Sequence, residues 1–203
     1  MGPSGEPLLS RPSVRRAAWA AAILLPTVFL LGAWLILRAV EPSLVSGSRE
    51  AQVADFTARP VAENRPAPSF EVPLVAGRGS IALREFAGRV TVVNFWASWC
   101  DPCRAEARGL QKVWESYRSR GVEFIGIDHQ DSRSSGVAFR RAFGLTYPSG
   151  FDPAGALARR FGALGIPTTY VIGRDGRILY RYLGKIRPDN LAETLDRVLA
   201  GRT

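Results

Sequence analysis

The sequence predicts an α/β domain with a mixed sheet, set behind an apolar run long enough to cross a membrane. Arg89 to Ala97 and Val122 to Ile127 are rich in β-branched and apolar residues, as strands covered on both faces are. Between them Leu110, Val113, Trp114 and Tyr117 recur at spacings of three and four, a helix stripe. Thr168 to Ile172 and Arg177 to Tyr182 flank Arg174-Asp175-Gly176, the pattern of an antiparallel pair joined by a tight turn. Strand, helix, strand followed by a hairpin places parallel and antiparallel pairs in one sheet.

In chain order, Ala17 to Leu37 comes first, a run of 21 residues with no charge. A membrane span needs about 20 apolar residues, and spanning helices tolerate a proline such as Pro26. Arg11, Arg15 and Arg16 precede the run, whereas Arg38 and Glu41 nearly cancel after it. The positive-inside bias therefore puts residues 1–16 in the cytoplasm and all that follows Leu37 outside the cytoplasmic membrane. A cleaved signal peptide is the rival reading, although its apolar region is shorter, about 7 to 15 residues. Residues 38–66 are polar and rich in Pro, Ser and Ala, which predicts a linker, and residues 67–203 are left for the folded domain.

Within that domain, Ser69 to Val75 and Ser80 to Leu83 flank Ala76-Gly77-Arg78-Gly79, a strand–turn–strand signal for an N-terminal β-hairpin. The strand Arg89 to Ala97 follows, then a helix from Cys100 to about Arg120, stopped by Gly121. Val122 to Ile127 is the next strand and Ser134 to Phe143 a shorter helix. The turn-rich YPSGFDPAG leads to a helical stretch from Ala154 to Phe161. After the Thr168–Tyr182 pair, Pro188 opens a last amphipathic helix through Leu191, Leu195, Val198 and Leu199.

The 203 residues carry a net charge of +9, nearly all of it arginine, with lysine only at Lys112 and Lys185. The basic residues are scattered between acids, without the clustering and interleaved aromatics of a nucleic-acid surface. The chain has two cysteines, Cys100 and Cys103, in WCDPC. As a staple they are poorly placed, because closing so short a loop constrains the unfolded chain by only about 2 kcal/mol. Zinc needs four ligands, and the two thiols with His129 supply three. Haem attachment needs a histidine where Arg104 stands. Copper delivery is a fairer alternative, since two thiols and an imidazole suit a soft metal. A redox couple explains the placement best. Cys100 follows a buried strand and opens a helix, where free N–H groups and the helix dipole favour a thiolate. Cys103 lies one turn later, within reach to resolve a mixed disulfide, and Pro102 sits in the first turn, where its missing N–H is harmless.

With APSFEV, VTVVNFWASWCDPCRAE, GVEFIGID and GIPTTYVIGRDGRI in place, the chain from about Ala67 to Leu199 resembles the membrane-anchored thioredoxin-like proteins of the TlpA/ResA type. That group includes cytochrome c maturation reductases. The resemblance implies a thioredoxin-like fold and dithiol–disulfide exchange, with no metal or other cofactor. It makes Cys100 the nucleophile and Cys103 the resolving thiol, together forming a redox-active disulfide. Pro167 matches the cis-proline facing that disulfide, and Trp99, Ile166, Pro167 and Thr168 match the residues that meet substrate. Where thioredoxins proper have a buried aspartate this chain has Asn94, and Glu106 takes the place of the family's glutamate as proton-transfer group, with a solvated helix carboxylate as its plain alternative. Asp131 matches a second acidic position of some members. The proline many relatives carry after that glutamate is missing, and His129 with Gln130 occupies a stretch that shapes specificity. A peroxiredoxin-like peroxidase is disfavoured, because its Thr or Ser and its Pro are replaced by Ala97 and Val93. The partners implied are proteins with cysteine pairs and a membrane thiol–disulfide electron carrier, with no nucleic acid. Asp101, acidic and beside Cys100, disfavours the thiolate and predicts a reducing potential, nearer roughly −270 mV than roughly −120 mV.

Overall fold

The computed structural model describes residues 30–35 and 57–202. The chain divides into two units, Met1–Asp55 and Phe56–Thr203. In the first, residues 30–35 are helical, with Leu30, Leu31, Trp34 and Leu35 exposed. Among the described residues no helix is long and apolar enough to cross a membrane. The anchor expected at 17–37 lies, apart from those six residues, outside the described residues, as do its cytoplasmic flank and most of the linker.

The second unit is built on β4 (Val90–Trp96), whose seven residues are all buried. Its alternation sorts them between two layers. Val90, Val92 and Trp96 join one apolar cluster, Val93 and Phe95 the other. β5 (Val122–His129) runs parallel to β4, and β6 (Ser149–Asp152) runs parallel to β5. On the other side β7 (Thr168–Ile172), β8 (Arg177–Leu183) and β1 (Val61–Pro66) add antiparallel. The sheet order is β1-β8-β7-β4-β5-β6, mixed as expected.

α1 (Asp101–Tyr117) and α4 (Pro188–Leu199) pack on one face through Ala107, Leu110, Val113, Leu191 and Leu195. A Cβ at Gly109 would stand 2.5 Å from Pro188 Cγ, so the two helices meet where α1 has no side chain. α2 (Arg133–Phe143) brings Phe139 onto Trp96, stacked at 4.5 Å between ring centroids. The opposite face is covered by α3 (Ala156–Phe161) and by the separate two-stranded hairpin β2 (Glu71–Pro73) and β3 (Ser80–Ala82). The hairpin is tied to β6 by Val75 N–H to the Ser149 carbonyl at 2.8 Å.

Two elements were not foreseen. β1 lies inside the stretch predicted as linker, so the fold begins before residue 67. Its VAENRP is polar because it is an edge strand with mostly exposed side chains, which removes the apolar alternation that marks a strand. β6 lies inside YPSGFDPAG. Gly150 is required there because a Cβ would collide with Val72 of the hairpin, and the turn-like composition hid the strand.

Candidate functional site

The site lies at the C-terminal end of β4. The chain turns through Ala97-Ser98-Trp99 and enters α1 with Cys100 as its N-cap. Cys100 and Cys103 are joined by a disulfide, with Cα atoms 5.3 Å apart. The Cys103 N–H donates to Cys100 Sγ at 3.2 Å, the interaction that a thiolate at a helix N-terminus requires. The Cys100 carbonyl accepts from Arg104 N–H and begins the helix. Both sulfur-bearing residues are largely covered, Cys100 5% and Cys103 1% exposed, so access is a small window on the Cys100 side.

Glu106 is buried, not solvated, at 3% exposure. α1 turns Cys103, Glu106, Ala107 and Leu110 inward together, as their spacing of three and four dictates. Oε1 accepts from Asn94 Nδ2 at 3.0 Å and Oε2 from the Ile186 N–H at 2.8 Å. Asn94 also donates to Thr169 Oγ1 at 2.9 Å, across the β4–β7 register that pairs these two residues. Burial raises the Glu106 carboxyl to about 7, against the opposing pull of those two donors and of Lys185. Desolvation wins, leaving a carboxyl that exchanges its proton near neutrality.

Ile166–Pro167 is a cis peptide bond. The antiparallel pairing of Thr168 with Phe95 sets the start of β7 beside the end of β4. The Pro167 carbonyl is occupied by the Gly184 N–H at 2.8 Å. Thr168 is buried and spends its hydroxyl on the Gly165 carbonyl at 2.6 Å. Ile166 is half-buried and packs against both apolar clusters. Trp99 is 59% exposed and anchored by Nε1 to the Gln130 carbonyl at 3.1 Å. Three residues before Pro167, Leu164 is 95% exposed, an apolar side chain that periodicity had no reason to single out.

Asp131 meets the cysteine loop through the Ser98 N–H, which it accepts at 2.7 Å. His129 packs its ring against Gly155, with Nδ1 3.9 Å from Asp152 Oδ2. Among the described residues no group of three or more His, Cys, Asp or Glu is arranged to hold a metal ion. The residues that sequence reading missed are those brought from far along the chain: Thr169, Ile186 and Lys185 around Glu106, and Asp128 beneath Asp131.

A cysteine pair capping a helix at the end of a central β-strand, on a thioredoxin-like mixed sheet, defines a thiol–disulfide oxidoreductase. The chain belongs to the AhpC/TSA family, which it matches over residues 64–181. It is similar to the thiol–disulfide oxidoreductase ResA of Bacillus thuringiensis subsp. konkukian, 29% identical over 132 residues, which span 65% of this chain and 76% of that protein. It is similar also to the thiol:disulfide interchange protein DsbE of Allochromatium vinosum, 31% identical over 68% of this chain and 75% of that protein. A solved thiol:disulfide interchange protein of the thioredoxin family, from Chlorobium tepidum TLS, superposes with a TM-score of 0.61. It is 29% identical and covers 68% of this chain and 99% of the other.

Proposed function

We propose that the chain is a membrane-anchored, extracytoplasmic reductant of protein disulfides, recharged by a membrane thiol–disulfide carrier and serving cytochrome c maturation. The observation that carries the chemistry is the Cys103 N–H on Cys100 Sγ with the buried Glu106 carboxyl one turn further along the same helix. In the reduced protein the Cys100 thiolate attacks one sulfur of the partner disulfide, forming a mixed disulfide and expelling the partner's other sulfur as thiolate. Glu106 takes the proton of the Cys103 thiol. The Cys103 thiolate then attacks Cys100 Sγ, re-forming the Cys100–Cys103 bond and releasing the partner as a dithiol. Two electrons pass to the partner, and the carrier's dithiol restores them.

The partner's extended segment docks beside the cis-proline. Because Gly184 already takes the Pro167 carbonyl, Ile166 supplies the backbone for strand addition. Thr168 holds the turn from within, and Trp99 and Leu164 give the partner apolar surface. The anchor reading rests on the 21-residue apolar run and its arginine flank. The cytochrome assignment rests on the resemblance to the TlpA/ResA type.

Trapping tests the exchange chemistry and the partner. Cys103→Ser keeps the nucleophile but removes the resolving step, so mixed disulfides should accumulate in cells. Cys100→Ser should trap far fewer, because Cys103 is more deeply buried and lacks the N-cap position. Trapped apocytochrome c or its assembly factors, identified by mass spectrometry of non-reducing gel bands, would support the maturation role. Varied secreted proteins would replace it with a general disulfide role, and equal trapping by both variants would remove Cys100 as nucleophile.

A further inference from the structure

A second buried carboxyl lies on the other side of the cysteine strand from β7. Asp128 is the seventh residue of β5, in register with Trp96 of β4. Strand alternation turns it to the same face as Val122 and Phe124, under α2. It is fully buried, at 0% exposure, and neither side-chain oxygen has a hydrogen-bond donor among the described residues. α2 closes directly over it. A Cβ at Gly136 would collide with Asp128 Oδ2, so a glycine is needed in that helix for the carboxyl to fit.

A bare carboxylate in such a place is costly, and no single neighbour compensates for it. Burial first, then the charge of Asp131 and its side-chain contact, raise Asp128 to about 8. Arg133, the cation that acts on it in the opposite sense, is committed elsewhere: its guanidinium donates to the Leu74 and Val75 carbonyls and lies over the Phe151 ring. The side chain that meets the Asp128 carboxyl with oxygens of its own is Asp131. As two carboxylates the pair has no proton to share, and Asp128 is left without a partner. Protonated, Asp128 becomes a donor and Asp131 its acceptor.

Asp131 in turn bridges to the redox site. Oδ2 accepts the Ser98 N–H at 2.7 Å, and Oδ1 accepts the Ser132 N–H at 2.7 Å at the start of α2. Ser98 lies two residues before Cys100. Trp99, between them, is held by the Gln130 carbonyl, and Gln130 has φ of 49°, a left-handed backbone uncommon outside glycine. The segment from Asp128 to Ser132 is thus bent onto the loop that presents the nucleophile.

We propose that Asp128 is a positioning residue of the redox site: as a neutral acid it donates to Asp131, which thereby holds the Ser98 N–H and the loop leading to Cys100. The inference rests on the disulfide-exchange reading of Cys100. Loss of the Asp128 proton sets two carboxylates against each other in a buried place, Asp131 moves off, and Ser98 is released. The pair is separate from Glu106, which accepts from Asn94 and from the Ile186 N–H.

The test compares the full-length protein with Asp128→Asn, whose amide donates to Asp131 and has no proton to lose. Ser98 amide exchange, corrected for its intrinsic pH dependence, should lose about tenfold or more protection between about pH 6.5 and 9.5 in the parent. In the Asn variant it should stay within about twofold over that range. The pH profiles of Cys100 alkylation should coincide at the acid end and part at the alkaline end. Equal loss of Ser98 protection in both proteins, or loss in the variant already at the acid end, overturns the proposal. If Asp128→Asn does not fold, carboxyl-carbon NMR of the parent decides: Asp128 titrating above about pH 6 supports it, and titrating below refutes it. Ser98 protection involves no partner protein, so this test can fail while Cys103→Ser still traps substrates, and the reverse.

Discussion

At Glu106 a single side chain sets both the proton chemistry and part of the stability profile. Its carboxyl titrates near 7 in the fold against an ordinary 4.5. Between those values the folded protein keeps a proton that the unfolded chain has released, so stability falls as pH rises through that window. At 1.36 kcal/mol per unit of pKa the total is about 3 kcal/mol. Glu106→Gln should lessen the decline in urea midpoint from pH 5 to 7 without abolishing it, and should leave the decline above 7 in place, because Asp128, raised from 3.8 to about 8, loses its own contribution across both intervals. The same variant should remove the near-neutral inflexion from the pH profile of thiol alkylation. An unchanged profile would leave Glu106 a structural carboxyl. Asp101, exposed beside Cys100, is the residue behind the expected reducing potential. Equilibration with glutathione should give a value below about −150 mV, and a higher one would remove that role from Asp101.

At the scale of elements, the site depends on how closely α1 and α4 approach. Ile186, whose N–H holds Glu106, lies just before α4, so the docking of α4 sets the carboxyl's environment. Gly109→Ala puts a methyl 2.5 Å from Pro188 Cγ. Overpacking of this kind costs about 1–3 kcal/mol, against which alanine returns about 1 kcal/mol of helix propensity. The net expectation is a loss of up to about 2 kcal/mol in urea unfolding, recovered in part by Pro188→Ala in the same chain. A Gly109→Ala protein more stable than the parent by about 1 kcal/mol, the full gain in helix propensity, would show that the two helices can separate at no cost. Elements also differ in how visible they were beforehand. β4, β7 and α4 carry apolar patterns that match their observed spans within a residue or two. β1 and β6 do not, since one is a polar edge strand and the other is built from Ser, Gly, Phe and Asp under a hairpin.

For the whole molecule the expectation is a single-pass topology with the redox unit outside the cytoplasm. A reporter active in only one compartment, fused after Thr203, should read extracytoplasmic, and membrane fractions should retain the full-length chain. Release of a shorter soluble form would select the cleaved signal peptide instead. Despite the net charge of +9, no retention on nucleic acid is expected at physiological salt, since the basic residues are scattered between acids, as the pairs of Arg65 and Arg181 with Glu63, Arg89 with Glu123 and Arg120 with Asp196 illustrate, and form no clustered patch.

The sequence by itself determined the α/β class, the central strands and long helices, and the cysteine pair at a helix N-terminus. These are local properties: hydrophobic period, turn residues, and two thiols three positions apart. It also pointed to Glu106 and Asp131 through resemblance, but not to the state of the Glu106 carboxyl. Tertiary structure decided that. Glu106 is buried because α4 brings the Ile186 N–H to it from 80 residues away and β7 brings Thr169 to Asn94. Asp128 looks like any polar strand end until α2 closes over it at Gly136. A carboxyl's proton affinity depends on what surrounds it in three dimensions, and desolvation by distant segments leaves no mark in the residues beside it.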